Sequence, residues 1–325
     1  MNINPIKKTL PYIFVRKLYK RYLYRHINFK KNPIYKVSNF PRQIWLESTN
    51  HCNAECIMCP RELQTRKKGL MKMDLYKKII EEISQYKNEV DRLHLANFGE
   101  PLLDKKLPER IRIAKEHGIK HVYFVSNASL LTPSLTESLI NSGLDEFKIS
   151  FYGIDFKSYN ETMVGLDYEE TLSNVKNFFK IRKKLNARNP KVLIQLIPKL
   201  LKKDQIQAWY NQFENLIDQS IGDKIVETPI LNFGDGRNYN NINQIVTEIC
   251  SYPWRTMVIL QDGQVSVCCL DYNGSVIMGD VNSSSISEIW NGKKYLTLRD
   301  SFKRLDYSKY PICNKCDIPR NAISA

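Results

Sequence analysis

At 325 residues, 42% hydrophobic and 26% charged, the chain has room for about two globular domains, and its composition excludes global disorder, a collagen-like repeat and a disulfide scaffold. Lys plus Arg (49) outnumber Asp plus Glu (34), a formal charge of +15 that suits a solvated surface, nucleic acid, anionic lipid or an acidic substrate. No apolar run approaches the ~20 residues of a bilayer span, and Arg16, Lys17, Lys20 and Arg21 interrupt any apolar core of a secretory signal.

Residues 1–40 read as a basic, aromatic leader. Leu10, Phe14, Leu18 and Tyr22 can share one helical face, with Lys17, Lys20 and Arg21 beside it. Such a segment packs on its own domain or lies weakly on an anionic membrane.

From residue 41 to 235 apolar runs alternate with amphipathic stretches. Strands are predicted at 44–46, 93–96, 122–125, 147–150, 192–196 and 225–227. Helices are predicted near 74–87, 105–117, 133–142, 168–185 and 203–219, the first with the apolar stripe Leu75, Ile79, Ile83 and Tyr86. Gly118 and Gly143 follow helix ends, where a left-handed residue is commonly required. Strictly alternating strands and helices mean parallel βαβ units, an α/β fold. The Gly/Asn-rich stretch from Phe233 through Asn243 reads as a linker. Residues 245–325 form a smaller unit, with a hairpin at Asp262-Gly263 and a helix near 285–300 carrying Ile289, Trp290, Tyr295 and Leu298. A small unit with a thin core gains from a metal staple.

The eight cysteines fall in three groups: Cys52, Cys56 and Cys59; Cys250, Cys268 and Cys269; Cys313 and Cys316. Spacings of two or three residues favour metal ligation over disulfides and place the chain in a reducing, cytoplasmic compartment. Cys52 to Cys59 reads C-x3-C-x2-C directly after the first strand. Three thiolates on one loop can hold three irons of a cubane cluster and leave the fourth open to a chelating cofactor. A zinc knuckle or three unrelated core cysteines are the alternatives, although structural zinc favours four closed ligands.

In this setting the motif resembles the signature of the radical S-adenosylmethionine (SAM) superfamily, over roughly residues 40–235. The resemblance implies a partial (β/α)6 TIM-like barrel. It also implies a SAM-binding [4Fe-4S] cluster on Cys52, Cys56 and Cys59, and reductive cleavage of SAM to a hydrogen-abstracting 5′-deoxyadenosyl radical. Gly99-Glu100-Pro101 resembles the motif that holds the SAM amino group, which suits a carboxylate. Ser126-Asn127 and Ser150, at the ends of the third and fourth strands, resemble further cofactor contacts. Met58 stands where many members carry an aromatic residue, and its thioether is suited to pack on adenine. The region Glu161–Gly165 lacks the Arg that often pairs the SAM carboxylate.

Cys250, Cys268, Cys313 and Cys316, spaced 18, 45 and 3 apart, resemble a twitch-type SPASM domain with one auxiliary [4Fe-4S] cluster; tetrathiolate zinc fits the same count. Their spacing is closest to the aminocyclitol dehydrogenases. The resemblance therefore implies an iron–sulfur oxidoreductase that dehydrogenates a secondary alcohol of a sugar, cyclitol or similar small polar metabolite, with the auxiliary cluster accepting the electron. It implies a low-potential donor such as flavodoxin or ferredoxin as partner. Alternatives are a radical epimerase, with Cys269 returning a hydrogen atom, a peptide-modifying maturase, or a nucleic-acid- or membrane-surface-binding protein with structural clusters. No motif for specific nucleic-acid reading is present. His94 lies in a strand that can face the barrel interior, and the sequence names no general base.

Overall fold

A computed structural model describes residues 35–320, apart from 238, 240–245 and 247. The helix expected at Leu10–Tyr22, and the membrane contact built on it, lie outside the described residues. Six strands fall where the apolar runs predict them: β1 (Gln43–Leu46), β2 (Arg92–His94), β3 (Val122–Ser126), β4 (Glu146–Ser150), β5 (Lys191–Leu196) and β6 (Lys224–Glu227). Each pairs in parallel with its sequence neighbour. The helices after them are α1 (Met73–Gln85), α2 (Leu107–Glu116), α3 (Pro133–Asn141), α4 (Phe156–Thr162), α5 (Tyr168–Lys184) and α6 (Lys203–Phe213). The result is a partial (β/α)6 barrel.

Alternation along each strand separates two faces. One face buries Ile44, Leu46, Val122, Phe124, Phe147, Ile149, Val192 and Ile194 under the helices, as the contact of Phe147 with Phe178 of α5 at 5.1 Å illustrates. The other is the barrel's inner face, carrying Trp45, His94, Tyr123, Lys148 and Gln195. On α1, Tyr76, Ile79, Ile80 and Ile83 are buried and Leu75 and Tyr86 pack at the margin, close to the predicted stripe. Gly118 and Gly143 adopt φ of 79° and 85° after α2 and α3, as expected. Helix α4 was not predicted: seven residues started by an Asp155/Ser158 capping box carry little periodic signal.

The C-terminal unit adds α7 (Tyr252–Arg255), β7 (Thr256–Ile259), β8 (Gln264–Ser266), β9 (Ile277–Asp280), α8 (Ile286–Asn291), α9 (Lys293–Lys303) and α10 (Pro311–Asn314). It is joined to the barrel's own sheet: β7 pairs in parallel with β1, giving the order β6-β5-β4-β3-β2-β1-β7-β8-β9. The hairpin at Asp262-Gly263 is present, with Gly263 at φ 96°. The single helix expected near 285–300 is two, because Gly292 is extended between them. The end of the leader belongs to this fold: Phe40 is fully buried against Tyr86, and Trp290 Nε1 donates to the Ser38 carbonyl at 3.0 Å. No described helix is long and apolar enough to cross a membrane.

Candidate functional site

The loop after β1 carries the C-x3-C-x2-C sequence, and backbone contacts fix its shape. Cys59 N–H donates to the Cys56 carbonyl at 2.9 Å, while Glu55 and Ile57 donate to the carbonyls of Val164 (2.8 Å) and Thr162 (3.1 Å). The Arg-less stretch 161–165 thus serves as the loop's backbone partner. Arg61 Nη2 donates to the Ala54 carbonyl at 2.8 Å. Burial pushes the Cys52 thiol up to about 11 and raises Cys59; burial and the two neighbouring thiols raise Cys56. Without metal such a trio stays protonated, whereas a bound metal converts it to thiolates. Among the described residues Cys56 Sγ donates to Met163 Sδ at 3.6 Å, and backbone N–H groups of Ala54 and Arg61 favour the thiolate forms of Cys52 and Cys59.

Behind this loop the predicted cofactor residues of β2 and β3 form one network. Glu100 is 2% exposed and receives three donors: Leu102 N–H at 3.0 Å, Ser126 Oγ at 2.7 Å and Asn127 N–H at 2.9 Å. Burial nevertheless raises its carboxyl to about 7. Asn127 Nδ2 donates to Asn53 Oδ1 at 3.0 Å, and Asn53 Nδ2 to Ser129 Oγ at 2.9 Å, tying the network to the cysteine loop. Gly99 and Pro101 shape the approach: Glu100 N–H reaches the His51 carbonyl at 2.7 Å, and Pro101 opens a short 3-10 turn capped by Glu100. Met58 is buried in the core beside this loop. Ser150 ends β4 and hydrogen-bonds Tyr152, whose phenol is raised by burial and by Cys56 and Cys59. Asn53, Ser129 and Tyr152 were missed in the sequence; only Asn53's place inside the cysteine motif signalled it.

The second set is equally coherent. Cys250, Cys268, Cys313 and Cys316 line one cavity, walled by Tyr252, Leu270, Phe302, Tyr307 and Ile318 among others. Burial is the largest cause raising Cys250, to about 12, and it raises Cys313 and Cys316; the Cys269 contact leads for Cys268. Leu270 N–H donates to Cys268 Sγ at 3.4 Å, and Tyr307 hydroxyl accepts from Cys250 N–H at 2.9 Å. Four thiols lining one apolar cavity supply the full ligand set of a [4Fe-4S] cluster. Cys269 is buried in a small cluster with Val258, Leu260 and Leu270, packed against Trp45 and in contact with Cys268.

A cysteine trio on the loop after β1 and four cysteines lining one cavity of the C-terminal unit are the donor sets of an iron–sulfur protein. Residues 46–189 match the radical SAM superfamily and residues 250–317 the SPASM iron–sulfur cluster-binding domain. The chain is a radical SAM enzyme with a C-terminal SPASM-type domain, and its cofactors are SAM and [4Fe-4S] clusters, one binding SAM and one auxiliary. It is 22% identical to the S-adenosyl-L-methionine-dependent 2-deoxy-scyllo-inosamine dehydrogenase of Niallia circulans, over 84% of this chain and 92% of that one. It is 21% identical to the tungsten-containing aldehyde ferredoxin oxidoreductase cofactor-modifying protein of Pyrococcus furiosus, over 85% and 87%. The crystal structure of BtrN in complex with AdoMet and 2-DOIA shares the fold, with a TM-score of 0.58 at 21% identity over 85% of this chain and 92% of that one.

Proposed function

We propose that the protein dehydrogenates a secondary alcohol of a sugar, cyclitol or related polar metabolite. One observation carries this reading: four cysteines of the C-terminal unit line one cavity, and a cluster ligated by all four has no corner left for substrate. The bound SAM and clusters supply hydrogen-atom abstraction and an electron-accepting centre. In this reading Cys52, Cys56 and Cys59 hold the SAM-binding cluster, and Cys250, Cys268, Cys313 and Cys316 the auxiliary one. Glu100 receives the SAM ammonium, Gly99 and Pro101 set its approach, and Ser126, Asn127, Ser150 and Met58 flank the cofactor. The named dehydrogenase relative supports a polyhydroxylated ring as substrate. All eight cysteines are free thiols, in keeping with a cytoplasmic setting and a flavodoxin- or ferredoxin-type reductant.

The test is anaerobic turnover with dithionite on polyols. A product lighter by two hydrogens, formed with 5′-deoxyadenosine, is expected; absence of 5′-deoxyadenosine with every polyol removes the reading. A radical epimerase is the second reading. It is favoured by Cys269, which packs against Trp45 and lies close enough to Tyr123 to influence its phenol. Deuterium uptake from solvent at carbon, lost in Cys269→Ala, would select it.

A further inference from the structure

The barrel's inner face carries its own set of polar groups in two layers: His94 and Tyr123 are level with Glu146, and Lys148 stands one pleat nearer the strand ends, level with Val125. Trp45, His94 and Tyr123 follow one another across β1, β2 and β3; the His94 ring lies 4.1 Å from Trp45 and 4.4 Å from Tyr123. His94 is 3% exposed, and neither ring nitrogen has a hydrogen-bond partner. Lys148 stands on β4 two residues before Ser150, about 7 Å down the strand. It makes no hydrogen bond or ion pair with any described residue.

The neighbouring groups are all committed. Glu146 accepts from Arg92 at 2.7 Å and lies 3.5 Å from His121. Arg92 also covers the Tyr123 ring at 4.2 Å. Glu47 is tied by Arg66, and Gln195 on β5 donates to Thr228. Burial, with Lys148 and Arg92 nearby, holds His94 neutral, at about 3, too weak a base for an alcohol. Burial raises Tyr123 to about 12. Lys148 alone combines an unengaged nitrogen with a setting that disfavours its charge: burial and Arg92 lower it, opposed by Glu146.

We propose that Lys148 is the base that takes the substrate's hydroxyl proton, with the unpartnered His94 ring as a hydrogen-bonding group of the substrate-binding floor. This rests on the dehydrogenation reading above. The carbinol C–H bond breaks homolytically toward the adenosyl radical. The O–H bond breaks with its proton forming a new N–H bond at Nζ of Lys148, which takes part in its deprotonated form. The remaining electron goes to an iron–sulfur acceptor, leaving a C=O bond. The layer order places the cofactor at the strand ends, the base about 7 Å below, and the substrate ring between them.

The test uses the full chain with its clusters reconstituted. Competitive acetic-anhydride labelling across pH, read by mass spectrometry on the peptide containing Lys148, gives its titration without any substrate. A midpoint below the ordinary lysine value of 10.5 is expected. Turnover is then measured with myo-inositol, glucose and 2-deoxy-scyllo-inosamine as probes. Lys148→Arg, which keeps the charge but cannot take a proton, and Lys148→Met should each lose about 10²–10⁴-fold in product formation. A labelling midpoint at or above 10.5, or wild-type product formation by Lys148→Met, overturns the assignment. If no probe stimulates 5′-deoxyadenosine release by the wild type, the dehydrogenation reading falls instead, while the labelling midpoint still judges Lys148.

Discussion

Arg66 grips Glu47 with both terminal nitrogens, each 2.7 Å from a carboxylate oxygen. Glu47 follows β1 and is fully buried, while Arg66 closes the cysteine loop and is 10% exposed. The same Arg66 donates through Nε to the Tyr272 carbonyl at 2.9 Å, and Glu47 accepts from Gln261 N–H at 3.3 Å. One ion pair therefore locks the barrel, the cysteine loop and the C-terminal unit in register. Removing one partner of a buried pair leaves the other charge uncompensated, at a cost of ~3–5 kcal/mol. Arg66→Met should lower the unfolding free energy by about that amount in denaturant titration and reduce iron loading at the loop. Unchanged stability would mean that the pair is not holding the loop.

Gly99 marks a backbone crossing. A Cβ at this position would sit 2.2 Å from the Thr49 carbonyl oxygen and 2.9 Å from Asn50 Cα, both main-chain atoms that cannot swing away. Gly99→Ala must therefore push the Gly99–Pro101 segment off the cysteine loop and stretch the Glu100–His51 hydrogen bond. Equilibrium binding of SAM to the reconstituted protein should weaken by roughly tenfold or more, the equivalent of ~1.4 kcal/mol. Wild-type affinity in this variant would show that the crossing is not tight.

Much of this was legible in the sequence because the signals were local. C-x3-C-x2-C after an apolar run fixes a loop, and six runs at regular intervals fix parallel strands. The network around Glu100 was only partly legible: Asn53 and Ser129 reach it from loops 76 positions apart, and nothing in a linear pattern pairs two such residues. Lys148 was hidden for a related reason. In Glu146–Ser150 the alternation tells which residues share a face, but not that Glu146 is already engaged by Arg92 and His121 while Lys148 is not. The joining of β7 to β1 was invisible, since strands more than two hundred positions apart carry no mutual signal.

Glu100 gives a pH signature. Its folded-state value near 7 lies above the ordinary 4.5, so the folded protein holds that proton more tightly than the unfolded chain. The resulting stabilisation is complete below pH 4.5 and is lost as pH climbs from 4.5 through 7. If Glu100 receives the SAM ammonium as proposed, binding favours the ionised form, so SAM should bind more tightly at pH 7.5 than at ~6. Glu100→Gln should bind SAM more weakly and flatten this dependence. Isothermal titration of both proteins at the two pH values checks it, and an equal slope in the two would detach the carboxylate from the cofactor.

Cys313 separates the two metal sites. It lies in the C-terminal chamber with Cys250, Cys268 and Cys316, in a turn anchored by Asn232, whose backbone N–H donates to Asp317 Oδ2 at 3.0 Å and whose Nδ2 donates to the Lys315 carbonyl at 2.7 Å. That anchor does not involve the sulfur, so Cys313→Ala removes a ligand while leaving the turn's hydrogen bonds in place. Anaerobic reconstitution of the wild type should give about eight irons per chain and the variant about four. On the proposed assignment release of 5′-deoxyadenosine depends on Cys52, Cys56 and Cys59, so it should persist in the variant. Ketone formation needs a place for the electron left on the substrate after proton and hydrogen removal, and should disappear. Iron assay and product chromatography on the same preparation decide the matter: full ketone yield at about four irons would show that the C-terminal chamber accepts no electron and only staples the fold.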